Sequence, residues 1–596
     1  MKKKLSFYKV STLISVILAI LVIYITFKIG PTLDGRAYQI GIALFILIVI
    51  IASQLFDKSK RLQEMEYLLH SWPDAYDNKF DFEKIHKFYY EYGPDILKEK
   101  NFHNIDNQTA DDLNLDEILK KISICSSTPG EQMLYYLLRT PKTSKDELEK
   151  RNDIINLLNE DPSLRGHIQQ ILSNLGRQRK GEVFNLFNTD ATPNKEKVLL
   201  YNLLAISSVI TVVCFILFGA NKIPIFLAIF TIYMFISMRS AAEIEYELSS
   251  LQYLGNFIRA AKELSKIDNP ILKDYVSLIN EKVAPLSKID SKTKFIYSQS
   301  ELDIFIETIN ALFLTRIRSY YSVINIIKEN RQNLIELYAL VGTLEAYISI
   351  ASFRNRIPYY CLPDFVNNND KILSVENINH PLLENGVPNS ISILNQGIIL
   401  TGSNMSGKST FMRTIAINIL LSQTIYTCYS NKYEASFFRV MSSLSLSDNI
   451  LSGASYYLEE CKSVLRILNS LEEDVPAFCI IDEIFKGTNP IERIAASKEI
   501  LKYIMDRNAL SIVATHDLEL AESCNENYLR YYFCEDIDEE EGLVFDYMLK
   551  EGICNTGNAL KLLSFLGYPE DILSNSIKSI ANKKLWLKVL LCKQHL

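Results

Sequence analysis

Residues 401–410 read T-G-S-N-M-S-G-K-S-T, and this stretch decides the fold of the carboxyl-terminal part of the chain. It fits the pattern G-x-x-x-x-G-K-[ST], in which backbone N–H groups wrap phosphate oxygens at a helix N-terminus. The apolar run Ile398–Leu400 before it predicts a buried strand, and Phe411–Leu421 after it predicts a helix. The stretch therefore predicts a nucleotide-binding loop in an α/β sheet.

Within this loop, each residue type has an expected task. The Lys408 ammonium is expected to reach the β- and γ-phosphates of ATP, and the Ser409 hydroxyl to bind Mg²⁺. The residues predicted to contact the nucleotide are Gly402, Ser403, Asn404, Met405, Ser406, Gly407, Lys408, Ser409 and Thr410.

Two further strands end in side chains that suit the same site. Residues 475–483, V-P-A-F-C-I-I-D-E, form a Walker B pattern, which predicts Asp482 near Mg²⁺ and Glu483 beside the attacking water. Residues 512–517, I-V-A-T-H-D, place His516 where a nucleotide sensor would stand. The alternatives are a strand with a solvated acidic end and a capped surface histidine.

Bulk properties set limits on the function. The chain has 596 residues and a net charge of −7, so any nucleic acid contact requires a local basic patch. Its 10 cysteines include no C-x-x-C pair, which fits a reducing cytosol and argues against a disulfide framework or a zinc site.

Four apolar runs predict two transmembrane hairpins. Tyr8–Phe27 and Ile40–Leu55 form the first pair, and Val198–Gly219 and Ile223–Met238 form the second. A cleavable signal peptide is the alternative for the first run, and a buried core hairpin is the alternative for the second pair.

Basic residues flank both hairpins on one side, which predicts a multi-pass membrane protein with a cytoplasmic ATPase domain. These residues are Lys2, Lys3, Lys4, Lys58, Lys60, Arg61, Lys195, Lys197 and Arg239.

The remaining segments are mostly helical in pattern. Residues 82–175 and 241–352 carry apolar stripes at helical spacing, which are typical of packing faces. Within the first of them, Asn107–Asp112 is predicted as a linker and Thr128–Gly130 as a turn before a helix over Gln132–Leu138. From Ile372 onward short strands alternate with helices, as in a mostly parallel sheet.

Taken together, these motifs resemble the MutS family of DNA mismatch-repair ATPases. Residues 401–413, T-G-S-N-M-S-G-K-S-T-F-M-R, are similar to T-G-P-N-M-S-G-K-S-T-Y-M-R. Residues 482–489, D-E-I-F-K-G-T-N, resemble D-E-I-G-R-G-T-S, and 448–455, D-N-I-L-S-G-A-S, resemble D-D-L-A-S-G-R-S. Further likeness lies in A-T-H-D at 514–517 and in Asn379–Pro381, and the resemblance covers 113–176 and roughly 338–573.

The resemblance implies a homodimer formed through the ATPase domains. In the family the signature serine enters the ATP site of the opposite subunit, so Ser455 is expected to contact nucleotide in trans. The family also implies DNA as a partner.

The chain departs from the family pattern in several places, among them Lys486 and Asn489, where the family has arginine and serine. A membrane hairpin and a short linker stand where the family has its mismatch-reading domain. Gly386 falls where the family often has the phenylalanine that stacks on adenine, and residues 581–596 match nothing in the family.

The predicted fold class is an α/β P-loop ATPase domain of the ABC/MutS type with an all-α core and lever region and two transmembrane helical hairpins. The predicted domains are an amino-terminal transmembrane hairpin (1–57), a helical linker (58–112), a first part of the helical core (113–194), a second hairpin (195–242), a second part of the core with the lever (243–370), the ATPase domain (371–575) and a divergent tail (576–596).

The expected function is a membrane-anchored, Mg²⁺-dependent ATP hydrolase linked by resemblance to DNA binding, mismatch repair or damage sensing. Lys408, Glu483 and His516 are the expected catalytic residues, and Ser409 and Asp482 the expected metal ligands. An ABC transporter half, a membrane ATPase with a non-DNA client and a non-catalytic scaffold are the alternatives. Residues 452–455, S-G-A-S, differ from the transporter's L-S-G-G-Q, and an intact Lys408 argues against a scaffold.

Overall fold

The computed structural model describes residues 2–29, 35–74, 79–93, 100–178, 182–188, 195–218, 223–293, 312–366, 370–403, 406–444, 456–471, 474–524, 527–538, 542–553, 563, 567–576 and 578–579. These residues form two compact units. The helical unit comprises Met1–Leu97, Ile122–Leu134 and Asp153–Arg356, and the sheet unit comprises Lys98–Lys121, Tyr135–Asn152 and Ile357–Leu596.

Up to residue 356, the regular elements among the described residues are helices. In chain order the helices are α1 (Lys2–Ile29), α2 (Gly35–His70), α3 (Phe82–Glu91), α4 (Asn107–Asp112), α5 (Leu115–Ile122), α6 (Thr128–Arg139), α7 (Lys145–Glu160), α8 (Pro162–Leu175), α9 (Val183–Phe187), α10 (Lys195–Phe218), α11 (Ile223–Glu243), α12 (Glu245–Leu264), α13 (Lys273–Val283), α14 (Ser287–Thr293), α15 (Thr315–Glu329) and α16 (Arg331–Arg356). A short 3₁₀ turn, Ala284–Leu286, precedes α14.

The helical unit has an aromatic core. Ring centroids of neighbouring members lie 5.1–6.0 Å apart, within the range of favourable aromatic pairs. The members are Phe88, Tyr92, Phe184, Phe257 and Tyr338. The Tyr338 hydroxyl donates to Gln132 Oε1 at 2.6 Å, so its polar end is satisfied inside the core.

Within the described residues, three helical stretches are long and apolar enough to cross a bilayer: Lys3–Lys28, Ile40–His70 and Arg331–Arg356. The first two are only 11% buried, whereas the third is 83% buried and is a core helix. Helices α10 and α11 form where the second hairpin is predicted, and their described apolar stretch, Val198–Thr211, is shorter than a span. The turn predicted between them lies outside the described residues.

In the part of the chain that the structure describes, the strands all belong to the sheet unit. They are β1 (Asp364–Phe365), β2 (Ile372–Ile378), β3 (Asn389–Leu394), β4 (Gly397–Thr401), β5 (Lys432–Ala435), β6 (Arg439–Ser443), β7 (Ala477–Asp482), β8 (Ala509–Ala514), β9 (Tyr528–Tyr532), β10 (Glu535–Asp538), β11 (Gly542–Phe545) and β12 (Lys550–Glu551). Between them lie helices α17 (Lys408–Thr424), α18 (Tyr456–Asn469), α19 (Pro490–Met505) and α20 (Leu518–Ser523).

The main sheet has six strands in the order β12-β9-β4-β8-β7-β6. Strands β9, β4, β8, β7 and β6 are parallel, and β12 pairs with β9 in the antiparallel sense. Every residue of β4 and β8 is buried, as expected for parallel strands covered on both faces. Because β4, β7 and β8 are parallel neighbours, the loops that follow them emerge at one edge of the sheet, where α/β folds bind ligands.

Two local predictions are wrong. The predicted linker at Asn107–Asp112 is helix α4, whose Asp106 cap accepts the Thr109 N–H at 2.8 Å. Its Asp112 carboxylate accepts the Ser442 hydroxyl at 2.6 Å, so α4 is part of the sheet unit.

The predicted turn at Thr128–Gly130 is the first turn of α6. Proline is well suited to this position because the first helical N–H groups have no partner within the helix. Ser127 Oγ accepts the Gly130 N–H at 3.2 Å and so caps the helix.

Candidate functional site

The described part of the loop between β4 and α17 contains two glycines with positive φ angles, which suit a tight turn. Gly402 has a φ of 137° and Gly407 a φ of 106°, values that glycine adopts without steric cost. At Gly402 a Cβ atom would lie 2.3 Å from the Phe533 carbonyl oxygen, so a side chain has no room there. Asn404 and Met405 lie outside the described residues.

The ammonium group of Lys408 is turned back onto this loop. Its Nζ donates to the carbonyl oxygens of Gly402 at 2.8 Å and Ser403 at 2.7 Å. The residue is 5% exposed, and burial lowers the pKa of its ammonium, against the opposing charges of Asp482 and Glu483. A buried cation in a polar cleft is suited to an anionic ligand.

Ser409 and Asp482 are in direct contact. The Ser409 hydroxyl donates to Asp482 Oδ2 at 2.6 Å, which joins the first turn of α17 to the end of β7. Hydroxyl and carboxylate oxygens are the ligand types that Mg²⁺ prefers, so the donor set fits this ion. Within the described residues, no cluster of three or more His, Cys, Asp or Glu suits an all-protein metal site.

Glu483 has an unusual backbone and a well-defined side-chain position. Its φ is 60°, and its N–H donates to the Ala514 carbonyl at 3.0 Å, so the chain leaves β7 in a left-handed conformation. Glu483 Oε1 lies 3.1 Å from His516 Nε2 and 3.6 Å from Lys486 Nζ. Burial acts to raise the pKa of Glu483, but the His516 hydrogen bond and the charges of Lys486, His516 and Lys408 outweigh it, so the pKa is lowered.

His516 stands two residues past the end of β8. The next residue, Asp517, accepts a bidentate ion pair from Arg493, with Nε–Oδ2 and Nη2–Oδ1 distances of 2.8 and 2.7 Å. The Asp517 N–H also donates to Thr515 Oγ1 at 3.0 Å. These bonds on both sides fix the backbone that carries the imidazole.

A buried carboxylate holds the loop after β7. Glu460, on α18 and 4% exposed, accepts the Lys486 N–H at 3.1 Å and the Gly487 N–H at 3.3 Å. Sequence reasoning missed this residue, since nothing in its local pattern marks a loop anchor.

The phosphate loop, Asp482 and Glu483 line a cavity of about 660 Å³, which lies within the range of roughly 300–1,000 Å³ common for ligand pockets. Seven of the residues predicted from the sequence line it: Ser403, Gly407, Lys408, Ser409, Thr410, Asp482 and Glu483. Gly402, Ser406 and His516 are not among the lining residues. Ser455 lies outside the described residues.

The motif at Asn379–Pro381 forms another wall of the cavity. His380 is 6% exposed, and its burial, with the charge of Arg413, lowers its pKa to about 4. Its Nδ1 accepts the Leu382 N–H at 3.2 Å, which requires an unprotonated nitrogen. Asn418 of α17 donates to the Asn379 carbonyl at 3.0 Å and so ties this wall to the phosphate-loop helix.

Gly386 lies in the same wall and has no space for a larger residue. A Cβ atom there would stand 2.1 Å from Asn379 Oδ1. The aromatic ring that the family often places at this position is therefore excluded unless Asn379 moves.

Another aromatic residue, Tyr547, lines the cavity instead, and sequence reasoning missed it. Its side chain is 44% exposed, and its Cδ1 atom lies 3.2 Å from the place of a Cβ on Gly407. Asn389 anchors the Tyr547 segment by donating to the Tyr547 carbonyl at 3.0 Å and accepting the Leu549 N–H at 2.7 Å. The available signal was Asn389 itself, at the end of the Gly386–Asn389 motif.

Comparison with known proteins agrees with this geometry. Residues 398–584 match the family model of MutS domain V. The DNA mismatch repair protein MutS of Aquifex pyrophilus is 31% identical over 219 residues, which are 35% of this chain and 25% of that protein.

Two relatives match over longer stretches. MutS of Fervidobacterium nodosum is 24% identical over 553 residues, or 82% of this chain and 65% of that protein. The DNA mismatch repair protein MSH3 of Vanderwaltozyma polyspora is 21% identical over 503 residues, or 79% of this chain and 47% of that protein. This chain thus spans from a quarter to about two thirds of the length of these relatives. Residues 398–584 thus match MutS domain V, and proteins of the MutS family are similar to this chain over longer stretches.

Proposed function

We propose that this protein is a membrane-anchored ATPase that binds and hydrolyses ATP in the cavity at the carboxyl ends of β4, β7 and β8. The observation that carries the proposal is the pairing of Ser409 with Asp482 at 2.6 Å beside the pairing of Glu483 with His516 at 3.1 Å. A metal-ligand pair and a base–orienter pair around one cavity are what phosphoryl transfer to water requires.

In this proposal ATP is held by the phosphate loop. The loop N–H groups and the N-terminus of α17 bind the triphosphate, and the Lys408 ammonium exchanges its loop carbonyls for phosphate oxygens. Ser409 and Asp482 would hold Mg²⁺, which when bound neutralises the charge of the phosphate oxygens.

Glu483 is proposed to accept the proton of the attacking water. Its pKa is lowered, so the carboxylate is ionised at neutral pH and ready to accept a proton. His516 Nε2 donates to Oε1, which leaves Oε2 as the oxygen for the water. His516 is thereby proposed to orient the base and, through this hydrogen bond, to report a change at the γ-phosphate.

Tyr547 is proposed to supply the aromatic face for adenine. Phe533 also lines the cavity, but it is only 1% exposed and presents little ring surface. The half-exposed Tyr547 ring lies next to Gly407. It is proposed to stack on adenine in place of the aromatic residue that is absent at Gly386.

Two copies are proposed to complete each site, with Ser455 acting in trans as the family resemblance implies. A Ser455→Ala subunit mixed with a Glu483→Gln subunit tests this, since each mixed dimer then contains one site with both defects and one with neither. Recovery of about half of the wild-type rate per dimer supports the trans arrangement, and absence of recovery contradicts it.

The two amino-terminal helices are proposed to span the bilayer. They are 11% buried, they pack on each other, and large apolar side chains such as Leu13, Ile17 and Ile46 are more than half exposed. At their close approach a Cβ on Gly41 would stand 2.2 Å from Thr26 Oγ1, and small residues commonly allow helices to approach so closely in membranes. Helices α10 and α11 are proposed as the second hairpin, and the basic flanks put the ATPase domain in the cytoplasm.

The client is proposed to be DNA, because the relatives are DNA mismatch repair proteins. The test is the ATP hydrolysis rate of the full chain in nanodiscs with no DNA and with homoduplex, mismatched or branched DNA, at low and high salt. Stimulation that falls steeply with salt supports a DNA client held by its phosphates. Equal rates under all conditions contradict it and favour a membrane or protein client. A Lys408→Ala variant, which is expected to lose hydrolysis in every condition, identifies contaminating ATPases.

A further inference from the structure

Two cysteines of the sheet unit face each other across a single antiparallel bridge. The Cys361 N–H donates to the Cys428 carbonyl at 3.0 Å, and the Cys428 N–H donates to the Cys361 carbonyl at 3.0 Å. Residues that exchange both hydrogen bonds are directly opposite, and their side chains share one face.

This spacing suits a disulfide. The Cα atoms of such a pair lie about 5.5 Å apart, inside the range of roughly 4.4–6.8 Å that disulfides span. The two thiol groups are within hydrogen-bonding reach of each other, and Cys361 Sγ is also 3.2 Å from Ser430 Oγ. Closing the bond therefore requires side-chain rotation and no large backbone movement.

The two cysteines differ in exposure, and this difference determines which of them meets an oxidant. Cys361 is partly exposed and Cys428 is fully buried, so an oxidant reaches Cys361 first. The hydrogen bond from Cys428, helped by Ser430 and opposed by burial, lowers the pKa of Cys361 to about 7. Burial instead raises the pKa of Cys479 to about 12, so that thiol is inert at neutral pH.

We propose that Cys361 and Cys428 are a redox modification site, oxidised by hydrogen peroxide to an intramolecular disulfide and restored by a dithiol reductant. The Cys361 thiolate attacks one peroxide oxygen, which forms a sulfenic acid and releases hydroxide. The Cys428 thiol then attacks the Cys361 sulfur, the S–S bond forms, and the sulfenic oxygen leaves as water with the thiol proton. Two electrons pass from the two sulfurs to the peroxide. This proposal does not depend on the proposed ATP hydrolysis.

The bridge would act on the wall of the cavity. Tyr429 follows Cys428, its N–H donates to Asn418 Oδ1 at 2.7 Å, and its carbonyl accepts the Asn379 N–H at 2.9 Å. Oxidation thus ties Cys361, where the chain enters the sheet unit, to the segment that holds Asn379. Amide hydrogen exchange over residues 376–381 and 426–432 is expected to slow on oxidation.

The test is titration of the reduced full chain with hydrogen peroxide, followed by alkylation and peptide mass spectrometry without reductant. A peptide pair linked through Cys361 and Cys428 is expected at peroxide levels that leave the other cysteines alkylatable, and dithiothreitol should release it. The Cys361 alkylation rate should rise with pH through about 7, because the thiolate is the nucleophile.

Three serine variants make the outcome specific. Cys428→Ser should stop at a Cys361 sulfenic acid that a dimedone reagent traps, and Cys361→Ser should leave Cys428 reduced. Cys524→Ser, at a partly buried cysteine of the same unit, should oxidise like the wild type. Absence of the linked pair in the folded wild type, or its appearance only after Cys125 and Cys479 have oxidised, overturns the proposal.

Discussion

Replacing Glu483 by glutamine tests the proposed chemistry most directly. The substitution keeps the length of the side chain and an oxygen that can accept from His516 Nε2, at 3.1 Å in the wild type. It removes the negative charge and the ability to take a proton. Positioned general bases contribute about 10²–10⁴ in rate, or roughly 2.7–5.4 kcal/mol of transition-state stabilisation. We expect kcat to fall by that factor.

Binding should respond differently from turnover. The carboxylate repels the polyphosphate, and its loss leaves the Lys408 ammonium, which now donates to the loop carbonyls, available to the phosphates. We therefore expect the Kd for ATP to stay within about threefold of the wild type or to decrease, since no attractive contact to the phosphates is removed.

The assay pairs single-turnover hydrolysis of labelled ATP with equilibrium binding of a fluorescent ATP analogue. Glu384→Gln is the matched control, because Glu384 is an exposed carboxylate that lines the same cavity. A Glu483→Gln rate within about threefold of the control would refute the reasoning, since general bases are worth far more than that.

The pH dependence provides a second check on the same residue. The pKa of Glu483 is lowered, so the base stays ionised as the pH falls to the usual carboxyl range of about 4.3. The wild-type rate at saturating ATP should therefore not decline on account of this group between pH 7 and 5. An acid limb in this interval that Glu483→Gln abolishes would contradict the lowered pKa.

Four other substitutions test the surroundings. Ser409→Ala removes a hydroxyl that is a proposed Mg²⁺ ligand and that donates to Asp482. We expect the Mg²⁺ concentration for half-maximal hydrolysis to rise about tenfold, the factor that the loss of one hydrogen bond to a charged group implies. An unchanged Mg²⁺ titration would count against Ser409 as a metal ligand. Tyr547→Ala should raise the Kd for ATP at least fivefold, given about 1–3 kcal/mol for stacking, whereas Tyr547→Phe should bind like the wild type; equal affinities for both variants would exclude stacking. Asn418→Ala leaves two buried backbone groups unpaired and should lower the free energy of unfolding by about 2–4 kcal/mol in urea melts, and a loss below 1 kcal/mol would show that these bonds are dispensable. Glu460→Gln replaces one of the two carboxylate oxygens that accept the Lys486 and Gly487 N–H groups by an amide donor. We expect kcat to fall about tenfold with little change in KM. A change confined to KM would contradict a role of Glu460 in positioning the loop.

Local patterns predicted the elements around the phosphate loop well. The strand predicted at Ile398–Leu400 is β4, Gly397–Thr401, and the helix predicted at Phe411–Leu421 is α17, Lys408–Thr424. A parallel strand that is covered on both faces has an almost continuous apolar sequence. A short apolar run flanked by glycine and charged residues therefore predicts such a strand.

The failures have a common cause in tertiary contacts. Thr128–Gly130 has the composition of a turn, yet it is the first turn of a helix, in which Gly130 is required because a Cβ there would meet Glu345 Oε2 at 2.0 Å. Asn107–Asp112 has the polar composition of a linker, yet Thr109 and Asp112 are buried. These residues contact partners more than two hundred positions away in the chain. A prediction from neighbouring residues cannot include such contacts.

Tyr547 escaped prediction for a similar reason. It lies well beyond the predicted motifs in sequence, and its place at the cavity depends on the side-chain amide of Asn389 and on a return of the chain through β12. Its φ of 52° is a left-handed conformation that a tyrosine seldom adopts and that no propensity predicts.

The position of Glu483 depends on two elements that are distant in sequence. Its left-handed backbone is held by the Ala514 carbonyl on β8, and the loop that follows it is held by Glu460 on α18. Helix α18 begins at Tyr456, directly after the serine proposed to act in trans. Helix α18 therefore connects the serine proposed to act in trans with Glu460, which anchors the loop after the proposed base Glu483. Non-glycine residues in left-handed conformations cost about 1–3 kcal/mol and persist only where the surrounding structure enforces them. We therefore expect the loss of either anchor to change the position of the Glu483 carboxylate.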